Sequence, residues 1–144
     1  PSYVPEGDGF TTIVRNNIIT NTKLRTKSPS GTGYGIINYL PKTHSFTTLY
    51  NCLYKNSAGN YKDCTSKTDI YLNPLFVDQV NHDYHLQSRG GSWDGKTWVK
   101  YKVSSPCIDS GDPSSDYSKE SEDNGNRINI GRYGNTIYAS KSKH

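Results

Sequence analysis

The sequence predicts an all-β fold: the C-terminal coils of a right-handed parallel β-helix, a solenoid closed by an irregular tail. Three observations point there. A strand–bend–strand unit recurs, the composition favours short strands over helices, and turn-rich segments punctuate the chain. The 144 residues suffice for one domain.

The repeat weighs most, because a missed repeat misassigns a whole fold. Residues 13–21 (IVRNNIITN) match residues 48–56 (TLYNCLYKN) at an offset of 35 (48 − 13). In that register Val14 meets Leu49, Ile18 meets Leu53, Asn16 meets Asn51 and Asn21 meets Asn56. Each copy reads as a short strand, an Asn-containing bend and a second short strand. Asn tolerates the left-handed backbone that a tight bend needs. Stacked Asn side chains also hydrogen-bond from coil to coil. Val14/Leu49 and Ile18/Leu53 are expected inside, with Arg15/Tyr50 and Ile19/Tyr54 outward or at the bend. A spacing of 35 exceeds a bare coil, so residues 23–30, polar and basic, are expected to form an inserted loop. Residues 33–40 (GYGIINYL) read as a further strand of the first coil, and residues 58–61 begin its counterpart. Two similar hairpins in a β-sandwich are the competing reading.

The tail changes character. Residues 73–78 and 83–86 suggest a last partial coil. Residues 89–104 read as an inserted hairpin, with Trp93, Asp94, Gly95 and Lys96 at its turn. Residues 105–111 return to the core, 112–126 form a polar loop, and 127–131 make a final short strand. The expected organisation is coils over 1–88, the hairpin over 89–104, and a cap and tail over 105–144, all one domain. A solenoid end needs a cap because its last coil exposes a sheet edge. No comparable cap precedes the first coil. Upstream β-helix coils of a parent chain, or residues 1–10, are expected to cover it.

Composition narrows the function classes. Hydrophobic residues make up 31% and mean hydropathy is −0.84, values that raise disorder as a reading. The 12 Tyr, 3 Phe and 2 Trp argue against it. No apolar run reaches the roughly 18 residues of a membrane helix, so no membrane insertion is expected. The chain opens at Pro1 without a signal-like segment, which suggests a piece of a longer precursor. The net charge of +4 suits a polyanionic partner such as an acidic polysaccharide. Its Lys and Arg are scattered, without the dense runs of a nucleic-acid arm, so no nucleic acid is expected. Cys52, Cys64 and Cys107 match no metal motif. Their odd number leaves at least one free or paired elsewhere. A Cys52–Cys64 bridge stays open, and buried free thiols are the preferred reading.

Four motifs carry a family resemblance: N-P-L-F-V-D (73–78), D-Y-H-L (83–86), S-P-C-I-D-S-G-D-P (105–113) and R-I-N-I-G-R-Y-G (127–134). Together they look like the closing segment of secreted right-handed β-helix proteins. With the W-D-G-K-T-W-V insertion (93–99), the chain most resembles the disaggregatase-related family of methanogenic archaea. The resemblance implies an extracellular or cell-surface enzyme that degrades an acidic, chondroitin-like matrix polysaccharide. It carries over no catalytic residue.

The residues themselves offer candidates. A glycoside hydrolase needs two carboxyls, and a polyuronide lyase needs a cation and a base. Asp63 and Asp69 are the acids nearest the repeat, and Lys42 and His44 flank the strand before them. Each is equally readable as a solvated loop residue. Arg15 and Arg25, with Lys23 and Lys27, can bind carboxylates or sulfates. Tyr50 and Tyr54 can form an outward aromatic stack, for sugars or simply for the solenoid. Trp93 and Trp98 can stack on sugar or, as favoured, pin the insertion to the body. No cofactor is expected. Calcium stays possible at the acidic run containing Asp112 and Asp116, although the spacing lacks a regular calcium-loop pattern. Hydrolysis is favoured over elimination. A non-catalytic structural or carbohydrate-binding surface module is the alternative.

Overall fold

A computed structural model describes residues 10–25, 32–40 and 44–142. Strands form where β-branched and aromatic residues cluster. The first pass of chain holds β1 (Thr11–Arg15), β2 (Ile18–Thr20) and β3 (Tyr34–Ile37). The second repeats the order with β4 (Ser45–Leu49), β5 (Cys52–Tyr54) and β6 (Gly59–Lys62). Each strand pairs in parallel with its counterpart: β1 with β4, β2 with β5, β3 with β6. The described residues contain no helix, so the chain is all-β, built from short paired strands.

The pairing register is one residue shorter than the sequence match suggests. Val14 lies opposite Thr48, Ile18 opposite Cys52, and Ile19 opposite Leu53. A one-residue slip turns every strand side chain to the other face. Ile18 therefore parts from Leu53, its expected interior partner, and packs with Cys52 against the tail. Leu53 takes the inner position, so close to β3 that a Cβ on Gly35 would lie 2.6 Å from its Cδ2. The sequence match misled because Asn fills the left-handed position of the bends in the first pass and the position after it in the second. Asn16 (φ 60°) and Asn21 (φ 58°) are the left-handed residues of the first pass. Their structural counterparts are Tyr50 (φ 52°) and Lys55 (φ 53°), not Asn51 and Asn56.

Asn51 and Asn56 instead hold successive passes together. The Asn51 side-chain oxygen accepts the Asn17 backbone N–H at 3.0 Å, and its amide donates to the Val14 carbonyl at 2.9 Å. Asn56 accepts from the Thr22 backbone N–H at 3.3 Å and donates to the Ile19 carbonyl at 3.2 Å. The Asn51 backbone N–H continues to the Asp69 carboxylate at 2.9 Å, where a third pass begins. The backbone of that pass pairs with β5 through a parallel bridge between Cys52 and Ile70.

Past Ile70 the expected partial coil is replaced by an antiparallel pair, β7 (Phe76–Asp78) with β8 (Asp83–Leu86). A second antiparallel pair, β9 (Ser92–Trp93) with β10 (Trp98–Val99), forms the 89–104 insertion. The strand expected at 127–131 is absent, and residues 105–142 form turns without strands. The tail packs along the side of the parallel pairs. Leu86, Cys107, Ile108 and Ile130 meet the row of Ile18, Cys52 and Ile70. The approach is tight at Gly131, where a Cβ would come 2.7 Å from Ile18 Cδ1. Asn16 fastens it further: its side-chain oxygen accepts from Asp112 N–H at 2.7 Å, and its carbonyl from Gly131 N–H at 2.9 Å.

Candidate functional site

A cleft opens where the tail crosses the first pass. Asn16, Asn17, Ile18 and Thr20 form one wall, Phe76, Gln79 and Tyr84 another, and Gly131 and Arg132 the third. Its volume is ≈ 380 Å³, within the roughly 300–1,000 Å³ of small-ligand sites. The walls follow from local structure. The left-handed bend at Asn16 ends β1 and turns β2 so that Ile18 faces the tail. The β7–β8 hairpin sets Phe76 and Tyr84 edge to face, with centroids 5.4 Å apart at 81°. Tyr84 is held by its hydroxyl, 3.1 Å from His82 Nδ1. Arg132 lies over the Tyr133 ring at 5.6 Å and, among the described residues, is the sole charged side chain lining the cleft.

Chemically this lining offers groups that can bind a polar, partly apolar ligand. Amides and hydroxyls offer hydrogen bonds to a polyol, aromatic rings offer flat apolar faces, and one guanidinium offers a fork for a carboxylate or sulfate. Among the described residues no carboxylate lines it, so they do not assemble the two acids of a glycosidase there. Beside it, His85 stacks on Tyr133 at 3.6 Å and contacts Asp83 through Nδ1 at 2.6 Å. His85 Nε2 is buried without a hydrogen-bond partner.

The residues singled out from sequence scatter. Asp69 is buried and committed: it accepts from Thr48, from the Asn51 backbone and from the Tyr61 hydroxyl at 2.6 Å. Burial, and then the Asp69 hydrogen bond, push the Tyr61 hydroxyl well above the ordinary phenol range. Asp63 is an exposed left-handed residue (φ 56°) after β6. His44 stacks on Phe10 at 5.9 Å. Lys42 and Lys27 lie outside the described residues.

Among the binding candidates, Arg15 pairs with Asp112 at 2.8 Å, tying β1 to the tail. Arg25 is exposed, and its backbone N–H donates to Thr32 Oγ1 at 3.0 Å. Tyr50 and Tyr54 do not pair with each other. Arg127 covers the Tyr50 ring at 5.1 Å, and Lys55 approaches Tyr54 at 5.3 Å. Trp93 and Trp98 meet across the β9–β10 pair at 5.5 Å. Trp93 also packs on Tyr138 at 5.6 Å, and Lys141 sits over Trp98 at 5.0 Å, so the pair pins the hairpin to the tail.

The acidic run is engaged by local donors. Asp112 binds the Ser114 backbone and hydroxyl and then Arg15, which together hold its carboxyl below the usual carboxylate range. Asp116 binds Ser118 and Asn135, with the same effect. Among the described residues no three His, Cys, Asp or Glu side chains converge as metal ligands. No disulfide joins the cysteines among the described residues, and Cys52 and Cys107 are fully buried.

Sequence reasoning passed over the cleft residues. Arg132 lies in R-I-N-I-G-R-Y-G and Tyr84 in D-Y-H-L, motifs read as structural closure. Nothing local marks their convergence on Asn17 and Ile18.

The family model described as "disaggregatase related" matches residues 1–111. The chain belongs to the disaggregatase-related family. No curated protein and no solved structure matches it. In this family member the matched span supplies the parallel pairs and the β7–β8 wall of the cleft, while Gly131 and Arg132 come from beyond it.

Proposed function

We propose that this chain is the closing segment of a secreted right-handed parallel β-helix, acting at the cell surface or outside the cell. Its cleft holds a unit of an acidic, chondroitin-like polysaccharide that the parent protein hydrolyses. The observation that carries this reading is the cleft lining: two aromatic rings, several amides and a single guanidinium on a surface of net positive charge. Family membership and the three parallel strand pairs support it. Among the described residues the outer edges of β1, β2 and β3 have no strand partner. Further coils of the same kind stack there and carry the catalytic carboxylates, which the cleft lacks. On this reading residues 1–144 alone bind glycan and show little turnover.

Titration of the full chain with acidic and with neutral oligosaccharides of equal length tests it. The acidic ligand binds, and Arg132→Ala weakens it by roughly ten- to a hundredfold, the worth of about 1.5–3 kcal/mol for a hydrogen bond to a charged group. Unchanged affinity in that variant, or equal affinity for the neutral ligand, sinks the assignment. New reducing ends produced by the parent protein without an unsaturated uronate distinguish hydrolysis from elimination. Because no carboxylate lines the cleft, a non-catalytic glycan-binding module is the second reading. A parent protein that binds the glycan and never cleaves it selects that one.

A further inference from the structure

We propose that Cys52 and Cys107 form a disulfide that staples the tail to β5. The two residues come from distant parts of the chain and meet in one core cluster, each with no solvent exposure. Cys52 sits at the centre of the row Ile18–Cys52–Ile70, the face on which the tail docks. Cys107 is held opposite it by the tail's own turn. Its N–H donates to Ser105 Oγ at 3.0 Å, and its carbonyl accepts from Ile130 N–H at 2.8 Å. The Cys107 thiol hydrogen-bonds to the Cys52 sulfur, which also lies 3.3 Å from the Leu72 carbonyl. Cys64 lies apart, near the Ile36 carbonyl at 3.7 Å, and is the odd thiol left over.

The oxidant is a low-molecular-weight disulfide. The Cys52 thiolate attacks one of its sulfurs, forming a mixed disulfide and releasing one small thiol. The Cys107 thiolate then attacks the Cys52 sulfur and releases the second. Two protons and two electrons leave the protein, and the small disulfide is reduced to two thiols. Both sulfurs are sealed in the native core, so the exchange takes place as the tail docks, and the finished bond is shielded from reductants. The bond spans the cleft's foundations. Cys52 neighbours the Ile18 wall, and Cys107 holds Ile130, which leads into Gly131 and Arg132. The proposal stands whether or not the cleft binds sugar.

The test is to refold the full chain in a glutathione redox buffer, unfold it without reductant in the presence of an alkylating reagent, and map the peptides by mass spectrometry. The expected result is one alkylated cysteine, Cys64, and a cross-linked peptide pair that has lost two hydrogen atoms. Three alkylated cysteines, or any bridge that includes Cys64, overturn the proposal. A second readout is the thermal midpoint of chain refolded in that buffer, compared with chain unfolded and refolded in a strong reductant, which reaches the bond only in the unfolded state. A bridge closing a loop of roughly 55 residues lifts the midpoint by roughly 10 °C. The reductant should remove that gain in wild type and in Cys64→Ser, and change nothing in Cys52→Ser or Cys107→Ser. A reductant-insensitive wild type also overturns it.

Discussion

Replacing Asn51 with Ala removes the residue through which three passes of chain are hydrogen-bonded. Asn51 has no solvent exposure. Its oxygen accepts from the Asn17 backbone, and its amide serves the Val14 carbonyl at 2.9 Å and Thr48 Oγ1 at 3.0 Å. Ala fills none of these roles and leaves the Asn17 N–H and the Val14 carbonyl without their partners. A buried polar group stranded in this way costs about 1–3 kcal/mol. The Asn17 end is only partly buried, so the sum comes to about 2–4 kcal/mol. Asn56→Ala makes the same kind of cut at a half-exposed bend and should cost about 1–2 kcal/mol. Urea denaturation followed by circular dichroism measures both. Asn51→Asp sharpens the test, since it sets a second carboxylate against Asp69, where the contact is now 3.2 Å. That variant should be less stable than Asn51→Ala at neutral pH and should recover as the pH falls. An Asn51→Ala variant within about 0.5 kcal/mol of wild type would refute the ladder as the main polar tie, as would one no weaker than Asn56→Ala.

Two carboxyls in the tail give opposite pH signatures. Burial pushes the Glu120 carboxyl above the usual carboxylate range, partly offset by the Asn129 and Asn135 N–H groups, each donating to it at 2.9 Å. Its contribution is complete below the unfolded-state value and is lost as pH rises through the raised one. Glu120→Gln keeps the acceptor oxygen, so it should match or exceed wild type at neutral pH and flatten that part of a stability–pH curve. Asp112 runs the other way. Its lowered value gives stability that is present above the usual carboxylate range and lost as pH falls through the folded value. Asp112→Asn should flatten the acid limb of the same curve. The Arg15 pair adds little to this, because Arg15 is 47% exposed and such pairs are worth about 0–1 kcal/mol.

The sequence by itself determined that the chain would be all-β, that two strand–bend–strand units would lie side by side, and that Asn would make the bends of the first unit and tie the two together. Asn16 and Asn21 announce left-handed bends because few other residues enter that region cheaply. The alternation of Ile, Val and Tyr announces strands. The family, too, was legible in the closing motifs. Register was not. Two Asn roles one residue apart allowed offsets of 34 and 35, and the choice fell to packing: Leu53 fits against Gly35, and Cys52 faces the tail. The third pass was overread for a similar reason. Residues 73–86 carry strand composition, but only the folded chain decides whether a strand finds a parallel or an antiparallel neighbour. The cleft lay furthest from the sequence. Its walls come from residues 16–20, 76–84 and 131–132, and no local pattern reports that Arg132 will stand beside Asn17. Periodicity and turn chemistry are properties of neighbours in the chain, whereas a site is a coincidence of distant segments that only packing brings about.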